Sequence, residues 1–131
     1  MKHITSIFIL ITSLLHIVFF KIESIDFMKL ETLQRFSLTA EKAEVVKVWA
    51  YNQGFYNLFI AFGLLYGIYL LYRDDLNKAK PLLSTLLLII VGAGIVLATS
   101  ADGKIIAASI QAIPALIAFI LLNLYSKTKN K

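Results

Sequence analysis

Cysteine is absent from this chain of 131 residues, and histidine occurs only twice. Without cysteine the protein cannot form disulfides, thiolate metal sites or a catalytic thiol, although this absence says nothing about its compartment. Two histidines, one of them at position 3, are too few for a histidine-rich metal site. We therefore expect neither a metal nor any other cofactor.

Charged residues are also scarce, at 16% of the chain, whereas 59% of the residues are hydrophobic and the mean hydropathy is +0.78. A soluble domain of this size could not cover so much apolar surface. Four stretches are long enough to cross a bilayer, which takes roughly 20 apolar residues. The sequence predicts an all-α fold, a four-helix transmembrane bundle in a single integral membrane domain over residues 1–131, with spans at about 4–20, 49–72, 82–100 and 105–125.

The net charge of +5 does not indicate nucleic-acid binding, because the basic residues stand at the ends of apolar segments and form no stripe with aromatic residues. Four spans place both termini on one side, which carries seven Lys and Arg residues against six on the other. The short loop and the C-terminal tail on the first side are the denser in basic charge. We expect a multi-pass protein of the cell membrane, in bacteria the inner membrane, with cytoplasmic N- and C-termini.

The first apolar run follows Lys2 and could be read as a signal peptide. No small-x-small cleavage site follows it, because the run ends in Phe19, Phe20 and Lys21. The run is also long for the hydrophobic region of a signal peptide. We expect it to be retained as the first span.

The connection over 21–48 is too long for a turn and contains apolar residues at every third position: Phe27, Leu30, Leu33 and Phe36. This pattern is typical of a short amphipathic helix lying in the membrane interface, and a helix that caps the end of the bundle would need the same pattern. Thr39 is expected to cap a second long helix, which then continues without a strong breaker to Arg73.

The third span, which we expect to open at Pro81, is rich in small residues. Small residues let helices approach closely in lipid, so they predict either packing within the bundle or a homodimer. For the homodimer, the contact would be made by Gly92, Ala93, Gly94 and Ala98.

Polar residues of all four spans fall in the same half of the bilayer, predicted to be the outer-leaflet half. His16 lies ~8 Å inside the face that the first span leaves near Lys21, and Gln111 lies roughly 9 Å inside the same face, at 1.5 Å per residue. An amide in hydrocarbon needs a protein partner, a water or a ligand. We predict a pocket that binds a ligand through Asn52, Gln53, Asn57 and Gln111.

His16 and Glu23 are the candidate catalytic residues, seven positions apart and nearly on one helical face. An ionisable side chain inside a span is a functional candidate. The alternatives are a neutral His16 that bonds an amide on a neighbouring helix, and a solvated Glu23 at headgroup depth. The four amides could likewise serve only to hold helices together.

Three stretches are similar to those of a known family. They run from His16 through two phenylalanines to Glu23, from Phe36 through Thr39 to the block Asn52–Asn57, and from Gln111 through Pro114 to Leu116. The chain resembles the small four-span bacterial membrane proteins of the domain-of-unknown-function family 1304. Ala40 stands where the family is expected to have a proline. The resemblance implies the four-span fold and the same polar residues, and it implies no activity because the family has none established.

Three hypotheses follow from different classes of protein. The first is a binding module, or an isomerase that moves protons with His16, for a small amphiphilic or apolar molecule. The second is a small dimeric transporter or exporter, and against it stands the lack of a carboxylate at mid-depth. The third is a structural membrane factor without a ligand. The expected partners are membrane lipids and an unknown small molecule, and no nucleic acid.

Overall fold

The computed structural model describes residues 1–129, and the regular elements of this part of the chain are helices. They are α1 (Lys2–Phe20), which continues into a π-helix (Lys21–Ile25), α2 (Leu30–Phe36), α3 (Ala40–Tyr72), α4 (Leu76–Ser100) and α5 (Ile105–Lys129). Within the described residues, α1 with the π-helix, α3, α4 and α5 are long and apolar enough to cross a membrane. The predicted all-α fold with four spans is confirmed.

The outward surface of these helices is apolar. In the apolar 18-residue stretches of α4 and α5, only 22% of each stretch is buried inside the protein, and in that of α3 the buried share is 39%. Large side chains such as Ile7, Phe62 and Ile113 are more than half exposed. Such a surface is not stable in water, so it is a surface for lipid. The chain is a multi-pass membrane protein.

Side-chain caps set where the long helices begin. The hydroxyl of Thr39 accepts a hydrogen bond from the backbone N–H of Lys42 at 3.3 Å, as the sequence predicted for the start of α3. Asp75 caps α4 in the same way through the N–H of Lys78 at 3.3 Å. Because Asp75 starts the helix at Leu76, the expected start at Pro81 is wrong, and Pro81 lies inside α4.

The chain divides into two compact units, and the first comprises residues 1–13 and 62–129. Here α3 and α4 approach closely at two glycines of α3. A Cβ at Gly63 would fall 2.7 Å from Cδ1 of Leu86, and one at Gly67 would fall 2.3 Å from Cδ2 of Leu83. The leucines of α4 therefore fill space that larger residues on α3 would occupy.

Asp74 joins both ends of the described chain to the turn between α3 and α4. Its Oδ1 accepts from Nζ of Lys129 at 2.8 Å and from Nζ of Lys2 at 3.4 Å. These two cations hold the pKa of Asp74 below its usual range. Nearby, Nδ1 of His3 lies 3.0 Å from the hydroxyl of Tyr72. The pairs are exposed, so each contributes little stability alone.

Gly94 brings α4 against α5 within the same unit. A Cβ at this position would lie 2.7 Å from Cβ of Ala112 and 3.1 Å from the carbonyl oxygen of Ala108. Gly94 thus packs inside one chain. The homodimer through the small residues of α4 stays a prediction, and the more accessible Gly92, Ala93 and Ala98 would have to carry it.

We expect Gly94→Ala to destabilise the protein by about 1–3 kcal/mol, because the new methyl group overpacks the contact between α4 and α5. Gly92→Ala is the matched control. A Cβ there meets nothing within 4 Å, so it should be neutral or stabilise by up to about 1 kcal/mol through helix propensity. Reversible unfolding in mixed micelles measures both, and equal effects at the two positions would contradict the packing.

The second unit comprises Leu14–Ala61. It has a small core of Phe27, Leu33 and Ala43, against which the side chains of Phe36, Leu38, Val46 and Ala50 pack. Leu33 and Phe36 of α2 face this core, whereas Leu30 is exposed. Ser37 ends α2 in a left-handed conformation with φ 56°. The placement of α2 in a membrane interface stays a prediction.

Candidate functional site

The end of the first span is a π-helix rather than an α-helix. The N–H of Asp26 bonds the carbonyl of Lys21 at 2.8 Å, five residues back, instead of four as in an α-helix. Single π-helical turns are rare, and they occur often at functional sites. This turn contains Glu23 and Ser24.

Gly54 lets α3 approach the π-helix at this turn. A Cβ at position 54 would lie 2.0 Å from Oγ of Ser24 and 3.0 Å from its backbone nitrogen. The Ser24 hydroxyl also donates a hydrogen bond to the carbonyl of Tyr51 at 2.8 Å. Close backbone approach of this kind requires glycine.

A hydrogen-bonded chain connects His16, Asn57 and Glu23. The oxygen Oδ1 of Asn57 lies 2.7 Å from Nδ1 of His16, and Nδ2 of Asn57 donates to Oε2 of Glu23 at 2.7 Å. Because an amide oxygen can only accept, Nδ1 of His16 must carry the proton in this bond. The side chain of Asn57 therefore uses its donor and its acceptor to hold two ionisable groups of the first span.

His16 is buried almost completely, with 2% of its surface exposed. The ring of Phe19 packs edge-on against it, with 5.4 Å between the ring centroids. Its second nitrogen, Nε2, is buried and has no hydrogen-bond partner among residues 1–129. When Nδ1 carries the proton of a neutral ring, Nε2 is an acceptor. His16 thus keeps one polar atom for which the described chain supplies no donor.

Glu23 and Gln53 are the polar residues of an open groove of about 270 Å³. Its other described walls are apolar: Phe27, Phe36, Leu38, Val46, Trp49 and Ala50. The groove lies between the π-helix, α2 and α3. It therefore combines a carboxyl group and an amide with three aromatic side chains.

Two lysines near the π-helix, Lys21 and Lys29, bond Asp26 and not Glu23. Lys29 reaches Oδ1 of Asp26 at 2.8 Å, and Lys21 binds its other oxygen. Hydrogen bonds from Lys21 and Lys29 hold the pKa of Asp26 below its usual value. Glu23 instead accepts its hydrogen bond from the neutral amide of Asn57.

The remaining candidates occupy different positions. Gln53 and Asn52 are both exposed, and only Gln53 lines the groove. Asn52 donates to the carbonyl of Val48 on its own helix at 3.0 Å. Gln111 is half-buried on α5 and belongs to the other unit. The prediction that Gln111 shares a pocket with His16 stays a prediction, as do the catalytic and ligand-binding roles of all six residues.

The sequence reasoning missed the close contact of Ser24 with Gly54. A glycine inside an apolar helix and a serine after a span are ordinary by themselves, so only their pairing in space carries information. It also missed several buried hydroxyls on α1, two of which donate to the backbone carbonyl four residues back: Thr5 to Met1 and Thr12 to Phe8. These bonds satisfy the hydroxyls locally.

The fold and the site define a multi-pass α-helical membrane protein with a polar cluster near the end of its first span. The chain belongs to the DUF1304 family, described as a protein of unknown function, whose model matches residues 10–123. No curated protein and no solved structure matches the chain significantly.

We expect Asn57→Leu to lower the free energy of unfolding by about 1–3 kcal/mol, because it leaves the polar atoms of His16 and Glu23 without their partner. Asn52→Leu makes the same chemical change five residues earlier, at an exposed side chain, and should change stability by no more than about 0.5 kcal/mol. Unfolding in mixed micelles compares the two. A loss at position 57 no larger than at position 52 would show that the bonded chain contributes nothing.

Gly54→Ala should destabilise the contact between the π-helix and α3 by about 1–3 kcal/mol through overpacking. Ser24→Ala in the same chain removes the oxygen that lies nearest to the new methyl group. The double variant should therefore be more stable than the sum of the single effects predicts, which a double-mutant cycle measures. Additive effects would argue against the close approach.

Proposed function

We propose that the protein binds a small amphiphilic molecule in the groove lined by Glu23 and Gln53. The polar head of the molecule would contact these two side chains, and its apolar part would lie along Phe27, Phe36 and Trp49. The observation that carries the proposal is a carboxylate and an amide set into an otherwise apolar groove. In a chain that lives in lipid, polar groups at such a position need a partner.

The volume of the groove is sufficient for the polar head of an amphiphile and a short length of its tail. Sites that enclose a drug-sized ligand have volumes of about 300–1,000 Å³, and this groove has about 270 Å³. A longer tail would leave the groove and lie among lipid chains. A membrane amphiphile meets this requirement, because its tail does not need to be enclosed by protein.

Hydrogen bonds to neighbouring side chains hold Glu23 in position in the groove. Glu23 is held by Asn57, and Asn57 is held by the buried His16. Locked side chains lose little freedom when a ligand binds, which favours affinity. His16 and Asn57 would thus position Glu23 rather than touch the ligand themselves.

Proton transfer by His16, as in an isomerisation, is the second candidate function. The unpartnered Nε2 favours it, because this atom could accept a proton. We place it second because Asn57 bridges His16 and Glu23 as a neutral amide, which orients both groups but does not itself titrate.

The charge distribution supports a placement in the cell membrane with both termini in the cytoplasm. Basic residues are densest in the short connection between α3 and α4 and in the C-terminal segment. In this orientation, the groove would open in the outer-leaflet half, and lipids of that leaflet would be the source of the molecule.

Mass spectrometry of molecules that co-purify in lipid nanodiscs tests the proposal. We expect Gln53→Ala to lower the amount of bound amphiphile by roughly two- to tenfold, as the loss of one hydrogen bond predicts. Asn52→Ala is the matched control, because Asn52 is the neighbouring amide but does not line the groove. It should retain the molecule at the level of the unmodified protein.

Two results would contradict the proposal. One is that no molecule co-purifies with the unmodified protein above the level of empty nanodiscs. The other is an equal loss from both variants. Reduced stability of Gln53→Ala without any ligand to lose would support a structural factor instead.

A further inference from the structure

The groove contains the carboxyl group of Glu23, and no Lys or Arg is among the residues that line it. Glu23 is the only charged side chain among the described residues that line it. Its hydrogen bond comes from Asn57, which is a neutral amide and supplies a donor but no charge. A carboxylate beside apolar walls is stabilised far more by a cation than by a neutral group.

The nearest lysines along the chain do not fill this role. Lys21 and Lys29 both bind Asp26, so the two cations closest in sequence are already paired. The two carboxyl groups, three residues apart on the chain, thus have different partners. Asp26 is paired with two lysines, and Glu23 accepts a hydrogen bond from one amide.

The remaining walls suit an organic cation. Trp49, Phe27 and Phe36 present aromatic rings, whose faces attract ammonium groups. The second carboxylate oxygen of Glu23 and the amide oxygen of Gln53 can accept N–H donors. A hydrated metal ion would gain nothing from the apolar walls, and no cluster of three or more metal-ligating groups exists among the described residues.

We infer that the groove selects amphiphiles whose head is a primary ammonium group, held by Glu23 and Gln53 and flanked by the aromatic walls. This inference rests on the proposed function and names its substrate class. The tail of the molecule would extend from the groove into the bilayer.

Tryptophan fluorescence provides a direct measurement, because Trp49 lines the groove and is the only tryptophan of the chain. The full chain would be reconstituted in phosphatidylcholine vesicles and titrated with decylammonium, decanol and decanoate. Alkylamines of this kind are protonated at pH 7, as lysine is. Partitioning of each probe into empty vesicles is measured separately, so that affinities refer to the concentration in the membrane.

We expect decylammonium to bind the unmodified protein roughly tenfold or more tightly than decanol, and decanoate to bind most weakly. Glu23→Gln, which keeps the shape of the side chain, should abolish this preference, so that decylammonium and decanol bind the variant within about threefold of each other. Circular dichroism checks that the variant is folded. If it is not folded, the relative affinities of the three probes for the unmodified protein still test the preference for an ammonium head.

The outcomes separate the two proposals. Equal binding of decanol and decylammonium to the unmodified protein, or a preference for decylammonium that survives in a folded Glu23→Gln, would overturn the ammonium inference and leave amphiphile binding intact. No saturable response of Trp49 to any of the three probes would overturn both.

Discussion

The side-chain amide of Asn57 is the group on which the second unit of the protein depends. Lipid supplies no hydrogen bonds, so His16 and Glu23 must find partners inside the protein. One neutral side chain serves both, because an amide has an acceptor at one end and a donor at the other. A charged residue in its place would itself need compensation, and an apolar residue would leave both groups unsatisfied.

This arrangement needs the first span and α3 to lie very close together. Gly54 provides that proximity one turn before Asn57, where a methyl group would collide with Ser24. The bond from Ser24 to the carbonyl of Tyr51 then fixes the two segments along their length. The polar chain and the small-residue contact therefore depend on each other: the glycine sets the separation that the two bonds of 2.7 Å require.

Hydropathy and local chemistry were enough to predict the architecture. A run of apolar residues can satisfy its backbone in lipid only as a helix. Thr39 marks a helix start by its own chemistry. The choice of His16, Glu23, Gln53 and Asn57 as candidates could also be made from the sequence, because polar groups in apolar segments are conspicuous. Which of them bond each other could not, because Asn52 and Asn57 have the same side chain and differ only in what surrounds them.

The π-helix is the other feature that composition does not reveal. It explains why His16 and Glu23 have different surroundings. Seven residues apart in a regular α-helix, His16 and Glu23 would lie nearly above one another and face the same interior. Bonds between residues five apart add a residue to the turn and rotate the residues that follow. Glu23 is thereby turned towards the groove while it still reaches Asn57, and His16 stays buried. A local change of helix type thus separates one buried group, His16, from one group that lines the groove, Glu23.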